Sequence, residues 1–144
     1  MLVMGILNVT PDSFSDGGQF NTSESAVAHG LEMITEGADI IDIGGESTRP
    51  GALRITEEEE LARVIPVIKE LAQHNAVISI DTMRANVARA AVAAGATYIN
   101  DVSGGMADDQ MHAVAAELGT FYILMHWRGH SADMNSKAMY GDVV

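Results

Sequence analysis

The sequence predicts a parallel α/β fold of the eight-fold barrel type, and three observations carry that prediction. Short apolar runs recur at residues 3–7, 39–43, 76–80, 97–99 and 121–125. Helical patterns fill most of the intervals between them, the arrangement of a parallel sheet covered by helices. A polar group stands at the end of every run: Asn8, Glu46 after a pair of glycines, Asp81, Asn100 and His126. Barrel enzymes collect functional side chains from the C-terminal ends of many strands. An open doubly wound sheet concentrates them at one switch point, and no GxGxxG follows the first strand here.

Taken in order, residues 3–7 form the first strand. Residues 23–36 follow as a helix with Val27, Leu31 and Ile34 on one face, Asn21 or Thr22 at its start and Gly37 at its end. DIIDI at 39–43 is the second strand. The clearest helix spans 56–74, where Thr56 and Glu59 make a capping box and Leu61, Val64, Ile65, Ile68, Leu71 and Ala72 keep helical spacing. AVISI at 76–80 is the third strand, and an alanine-rich helix at 84–94 stops at Gly95. A short fourth strand at 97–99 ends on Asn100. Asp108 caps the next helix, which Gly119 closes, and FYILM at 121–125 is the fifth strand. The stretch beyond His126, through Asp142, is polar and loop-like.

The chain of 144 residues suits one domain, 1–144. A barrel of about 250 residues spends roughly 31 on each βα unit, so this length corresponds to about four and a half units. The sequence therefore reads as a barrel interrupted midway, with residues 3–7 and 121–125 as open apolar edges. Such edges recruit other strands or aggregate, so a free polypeptide of residues 1–144 is expected not to be a stable monomer.

Composition excludes several classes of function. A net charge of −12 argues against sequence-independent nucleic-acid binding, which needs clustered cations. It leaves small anions open, because helix N-termini, metals or a single Arg hold those locally. The absence of cysteine removes disulfides and thiolate metal sites and suggests a reducing, cytoplasmic setting. The N-terminus has no basic region of a signal peptide, and no apolar run approaches the length of a membrane span.

Five segments carry candidate chemistry. MGILNVTPDSFSDGG, residues 4–18, reads either as a turn-rich surface loop or as a lid hinged at Gly17 and Gly18, with Phe14 able to cover an apolar ligand. DIGGESTRPG, residues 42–51, offers close backbone approach at its glycines and hydroxyls at Ser47 and Thr48. Arg49 there supplies a planar charged fork for phosphate or carboxylate; the plain alternative is a tight loop with an incidental ion pair. In SIDT, residues 79–82, Asp81 either caps the next helix or accepts paired N–H donors at the barrel mouth. In NDVSGG, residues 100–105, Asn100 can read a heterocycle edge with its donor and acceptor, or serve a turn. In MHWRG, residues 125–129, a His beside Trp is more often structural than catalytic.

Each segment is weak alone. Together and in this order they resemble the dihydropteroate synthases across residues 4–129. That resemblance implies an (β/α)₈ barrel that condenses (7,8-dihydropterin-6-yl)methyl diphosphate with p-aminobenzoate, releasing diphosphate with the help of Mg²⁺. It implies Asn8 at the metal, Asp81 and Asn100 on the pterin, and Thr48 with Arg49 on the diphosphate side. Phe14, Asp16 and Pro50 fall in the two loops that order over p-aminobenzoate, and sulfonamides compete there in the family. Asp16 and Arg49 are the catalytic candidates, and His126 joins the substrate-binding set. A homodimer, with no nucleic-acid or membrane partner, is the implied state of the complete enzyme. The family's GFGK-like, SRK and RVHD motifs do not occur within residues 1–144. Two other readings stand beside this one: a non-catalytic pterin-binding module, and a methyltetrahydrofolate–corrinoid methyltransferase. The diphosphate-type loops GGESTRPG and SFSDGG weigh against the second.

Overall fold

The computed structural model describes residues 1–10, 19–47, 53–127 and 129–130. Among these residues five strands and four helices alternate: β1 (Met4–Asn8), α1 (Gln19–Thr35), β2 (Ile40–Gly44), α2 (Glu57–Gln73), β3 (Ile78–Asp81), α3 (Ala85–Ala94), β4 (Tyr98–Asp101), α4 (Met111–Leu118) and β5 (Phe121–Leu124). The strands form one parallel sheet in consecutive order, β1-β2-β3-β4-β5. A doubly wound sheet reverses its strand order at a switch point. This sheet never reverses, so it is a stretch of barrel wall, as the sequence predicts.

The pleat sorts the strand residues onto two faces. Leu7, Ile43, Ile80, Ile99 and Tyr122 fall in one register row. The first four are at most 1% exposed and pack against the helices. Val64, Val67, Ile68 and Leu71 of α2 and Val87, Ala88 and Ala91 of α3 complete this core. Each fully buried Ile or Leu contributes about 1.5–3 kcal/mol of hydrophobic stabilisation. The small side chains of α3 let it lie close to α2. At Gly95, φ is +128° and a Cβ would come within 2.6 Å of the Ala72 Cβ, so the turn after α3 requires glycine.

Among the described residues, no helix packs on the opposite face. Ile6 on β1 and Phe121 on β5, at the sheet's two edges, are 64% and 66% exposed. In a closed barrel this face lines the interior. Among the described residues, β1 and β5 are the outer strands of the sheet.

Element positions agree with the sequence reading, with four local corrections. Helix α1 begins at Gln19, so Asn21 and Thr22 lie within it and not at its start. Thr56 does cap α2, accepting a hydrogen bond from the Glu59 N–H at 3.2 Å. The Glu59 carboxylate turns instead to Arg63, one turn on, so only half of the expected box forms. Asp108 does not cap α4 with its side chain. Its carboxylate accepts from the first N–H of α3, at Ala85, at 2.8 Å, and from Gln110 N–H at 3.0 Å. The fourth strand runs two residues beyond the apolar run and ends at Asp101, because the ladder continues through polar residues once neighbours are in register.

Candidate pterin-type site at the strand ends

The C-terminal ends of all five parallel strands lie together, and the register fixes what meets there. Asn8, Gly44, Asp81, Asn100 and Ile123 form one row across the sheet. They share the face opposite the helices, alternating with the core row beside them. Asn100 is therefore a strand residue paired with Asp81, not a turn residue. His126 follows β5 by two residues at the same end and is exposed. Asn8, Asp81, Asn100 and His126, four of the five polar groups that follow the apolar runs, thus stand at one end of the sheet.

One step down the strands, Ile6, Asp42, Ser79, Tyr98 and Phe121 make the next row of this face. Tyr98 and Phe121 stack with centroids 4.9 Å apart. Asp42 is 4% exposed, and the Asn100 Nδ2 donates to its Oδ2 at 2.9 Å. Two strand spacings, about 10 Å, separate β2 from β4. The two side chains therefore lean toward each other over β3. A carboxylate only accepts, so this bond turns the Asn100 NH₂ toward Asp42 and leaves its carbonyl oxygen for a ligand. The other Asp42 oxygen, Oδ1, and the Ser79 hydroxyl are buried without a hydrogen-bond partner among the described residues. Unpaired buried polar atoms are costly and mark places where a water or ligand belongs.

Gly44 makes room beside Asp81. A Cβ at Gly44 would lie 3.3 Å from the Asp81 Oδ2. Burial pushes the Asp81 carboxyl up to about 7, with the charges of Asp42, Glu60, Asp101 and Glu46 adding to the effect. A ligand presenting two N–H donors would supply the stabilisation that the carboxylate lacks and would draw it into the ionised form.

Behind this row lies a buried ionic cluster that sequence reading missed. Glu60 of α2 is 1% exposed and accepts the Thr82 hydroxyl at 2.6 Å and the Arg84 guanidinium. Arg84 also donates to Glu46 at 2.9 Å and to the Ile55 carbonyl. Burial raises the Glu60 pKa; Thr82 and Arg84 act against that rise. An Arg at a helix start and a Glu in a run of four read as solvated charges, so no local signal announced the pair. Asp42 did carry a signal: it is a charge in the middle of an otherwise apolar strand. Asp101 is held internally. Ser103 N–H and hydroxyl, Gly105 N–H and the Tyr122 hydroxyl donate to its two oxygens, all at 2.7–2.8 Å. Those bonds shape the loop after β4.

Among the described residues no group of three His, Asp or Glu gathers to hold a metal. The donor at the β1 end is the single carboxamide of Asn8. Mg²⁺ commonly takes few protein ligands and completes its shell with phosphate oxygens and water. Asn8 fits that mode. Phe14, Asp16, Thr48, Arg49 and Pro50, named from the sequence, lie outside the described residues. No described helix is long and apolar enough to cross a membrane.

Comparison with known proteins points the same way. A family model described as "Pterin binding enzyme" matches residues 4–144. Dihydropteroate synthase of Mycobacterium leprae is 55% identical over 143 residues, which is 99% of this chain and 50% of that protein. A solved dihydropteroate synthase of Yersinia pestis, in a sulfonamide drug complex, superposes with a TM-score of 0.87 at 46% identity, covering 98% of this chain and 51% of that one. That of Xanthomonas albilineans with 4-aminobenzoic acid gives a TM-score of 0.84 at 56% identity, covering 89% and 47%. The chain thus spans about half the length of the relatives it matches.

Proposed function

The chain belongs to the pterin-binding enzyme family, and we propose that it supplies the first half of a dihydropteroate synthase barrel. The reaction joins (7,8-dihydropterin-6-yl)methyl diphosphate to p-aminobenzoate. The amine nitrogen forms a bond to the pterin methylene carbon while the carbon–oxygen bond to diphosphate breaks. The leaving group takes the electron pair, and the amine loses a proton. No covalent enzyme intermediate is required, so catalysis rests on positioning and on stabilising the departing anion.

The observation that carries this reading is the Asp81–Asn100 pair in one register row, with the Asn100 NH₂ committed to Asp42. A carboxylate acceptor beside an amide acceptor matches the amino and ring N–H groups of a pterin edge. Asn8, at the end of β1, is assigned to Mg²⁺ bound with the diphosphate, where the ion would neutralise developing charge. Thr48 and Arg49 are assigned to the diphosphate side, Phe14, Asp16 and Pro50 to p-aminobenzoate, and His126 to the substrate rim. Residues 1–144 form a single structural unit of a cytoplasmic enzyme that is homodimeric when complete. Support for these assignments comes from the motif order and from the matches to dihydropteroate synthases over nearly the whole chain.

The test is product formation by the enzyme at its complete length, with either substrate varied. Formation of 7,8-dihydropteroate with stoichiometric diphosphate supports the reading. Pterin binding without turnover would favour the binding module. Methyl transfer from methyltetrahydrofolate to a corrinoid would overturn the reading.

A further inference from the structure

We propose that Asp42 is a positioning residue that sets the hydrogen-bond polarity of the pterin site: by holding the NH₂ of Asn100, it obliges that carboxamide to meet the ligand as an acceptor. The proposal rests on the function just given and deepens it, because it names the residue that makes Asn100 selective. Asp42 stands in the middle of β2 between Ile41 and Ile43, which have no exposed surface, and is itself 4% exposed. Its Oδ2 accepts from the Asn100 Nδ2 at 2.9 Å, reaching across β3 to do so. Its Oδ1 has no hydrogen-bond partner among the described residues. The described arginines form their ion pairs elsewhere: Arg54 and Arg84 with Glu46, Arg63 with Glu59 and Arg89 with Glu117.

Stability does not account for this carboxylate. A buried charge with one neutral partner opposes folding, and an apolar residue would continue the run of isoleucines around it. What Asp42 contributes is a choice between two states of its neighbour. The ends of an asparagine side chain are nearly isosteric, and turning the amide over exchanges donor for acceptor. A hydroxyl or a second amide could satisfy either end. A carboxylate only accepts, so it selects one, and the bond is charge-assisted. With its NH₂ held, Asn100 has an acceptor left to offer, next in register to the Asp81 carboxylate. Two acceptors side by side suit a ligand edge with two N–H donors. They turn away an edge that presents a ring-nitrogen lone pair, since acceptor facing acceptor leaves both unpaired.

The experiment is a double-mutant cycle on the complete enzyme, with Asp42→Asn and Asn100→Ala made singly and together. The probe is 6-hydroxymethyl-7,8-dihydropterin, which carries the pterin edge without the diphosphate, titrated by calorimetry. A pH of about 8.5 keeps Asp81, which titrates at about 7, ionised in every variant. Asp42→Asn should weaken binding about ten-fold when Asn100 is present. In the Asn100→Ala background the same change should cost less than about two-fold. Equal losses in both backgrounds would overturn the proposal, because a merely structural role does not need Asn100. Unchanged affinity in Asp42→Asn would overturn it as well. Neutron diffraction of the unaltered enzyme with bound dihydropterin needs no variant, and it is the test if Asp42→Asn does not fold. A deuteron on Asn100 Nδ2 should point at Asp42 and the Asn100 oxygen at the ligand; the reverse placement would refute the assignment. A wild-type enzyme that does not bind the dihydropterin would defeat the functional reading, and this proposal with it. Missing coupling in an enzyme that does bind it would defeat the proposal alone.

Discussion

The two faces of the sheet are built from the same alternation of strands and helices, yet they obey different rules. On the helix side, Leu7, Ile43, Ile80 and Ile99 repeat one chemistry across four strands, and every one is buried. On the other side the neighbouring positions include Asn8, Asp42, Ser79, Asp81 and Asn100 beside Ile6, Tyr98, Phe121 and Ile123, with two buried polar atoms that have no partner among the described residues. A period of two places a stabilising and a reactive surface back to back, separated by one peptide plane. The first surface gains from burial; the second keeps polar groups in costly places because a ligand can satisfy them.

The comparison breaks most readily on the helix side. Ile43→Ala should cost about 2–5 kcal/mol of unfolding free energy, measured by denaturant titration, because the site cannot fully collapse around the cavity. Pterin affinity of the protein that remains folded should hardly change. A comparable loss of affinity would mean that the two faces are not separable.

On the reactive side, Asp81→Ala should weaken pterin binding by about 1.5–3 kcal/mol in calorimetry on the complete enzyme. It should leave p-aminobenzoate binding nearly intact, and equal losses for both ligands would contradict the assignment. The same residue gives a pH signature. Its carboxyl titrates near 7 when folded, against 3.8 ordinarily. Between those values the folded state holds more protons than the unfolded one, so Asp81 lowers stability as pH rises from about 4 to 7 and adds no further slope above. Asp81→Asn should flatten that part of the stability curve. Pterin binding at pH 6 should release protons, seen as a dependence of the heat on buffer ionisation.

Smaller effects belong to the periphery. Thr56→Ala should cost about 1 kcal/mol through the lost cap on α2. Arg89 and Glu117 form an exposed bidentate pair at 2.8 Å between α3 and α4. Removing it should shift the thermal midpoint hardly at all, since water and salt already screen such pairs.

The helix face was legible in the sequence because periodicity reports it directly. Val64, Ile68 and Leu71 announce the buried stripe of α2, and Gly95 and Gly119 mark helix ends that the structure keeps. The strand-end residues were legible as a set, since Asn8, Asp81 and Asn100 each interrupt an apolar run. Their mutual register was not, because it depends on how neighbouring strands pair. The Glu46–Glu60–Arg84 cluster escaped notice for a related reason. Its members are 14 and 24 residues apart in sequence and come together only when β2, α2 and the start of α3 pack. Asp108 misled for the opposite reason: a good capping residue stood near α4 but bonds to α3, whose N-terminus lies across the crossover.

The unbroken strand order has a meaning for how the protein comes into being. Each strand pairs with the one made just before it, so the sheet grows at a single advancing edge. A chain leaving the ribosome N-terminus first would find, for every new βα unit, a docking surface already finished. Synthesis and assembly would run in the same direction, and no strand would have to wait for a distant partner before it could be paired.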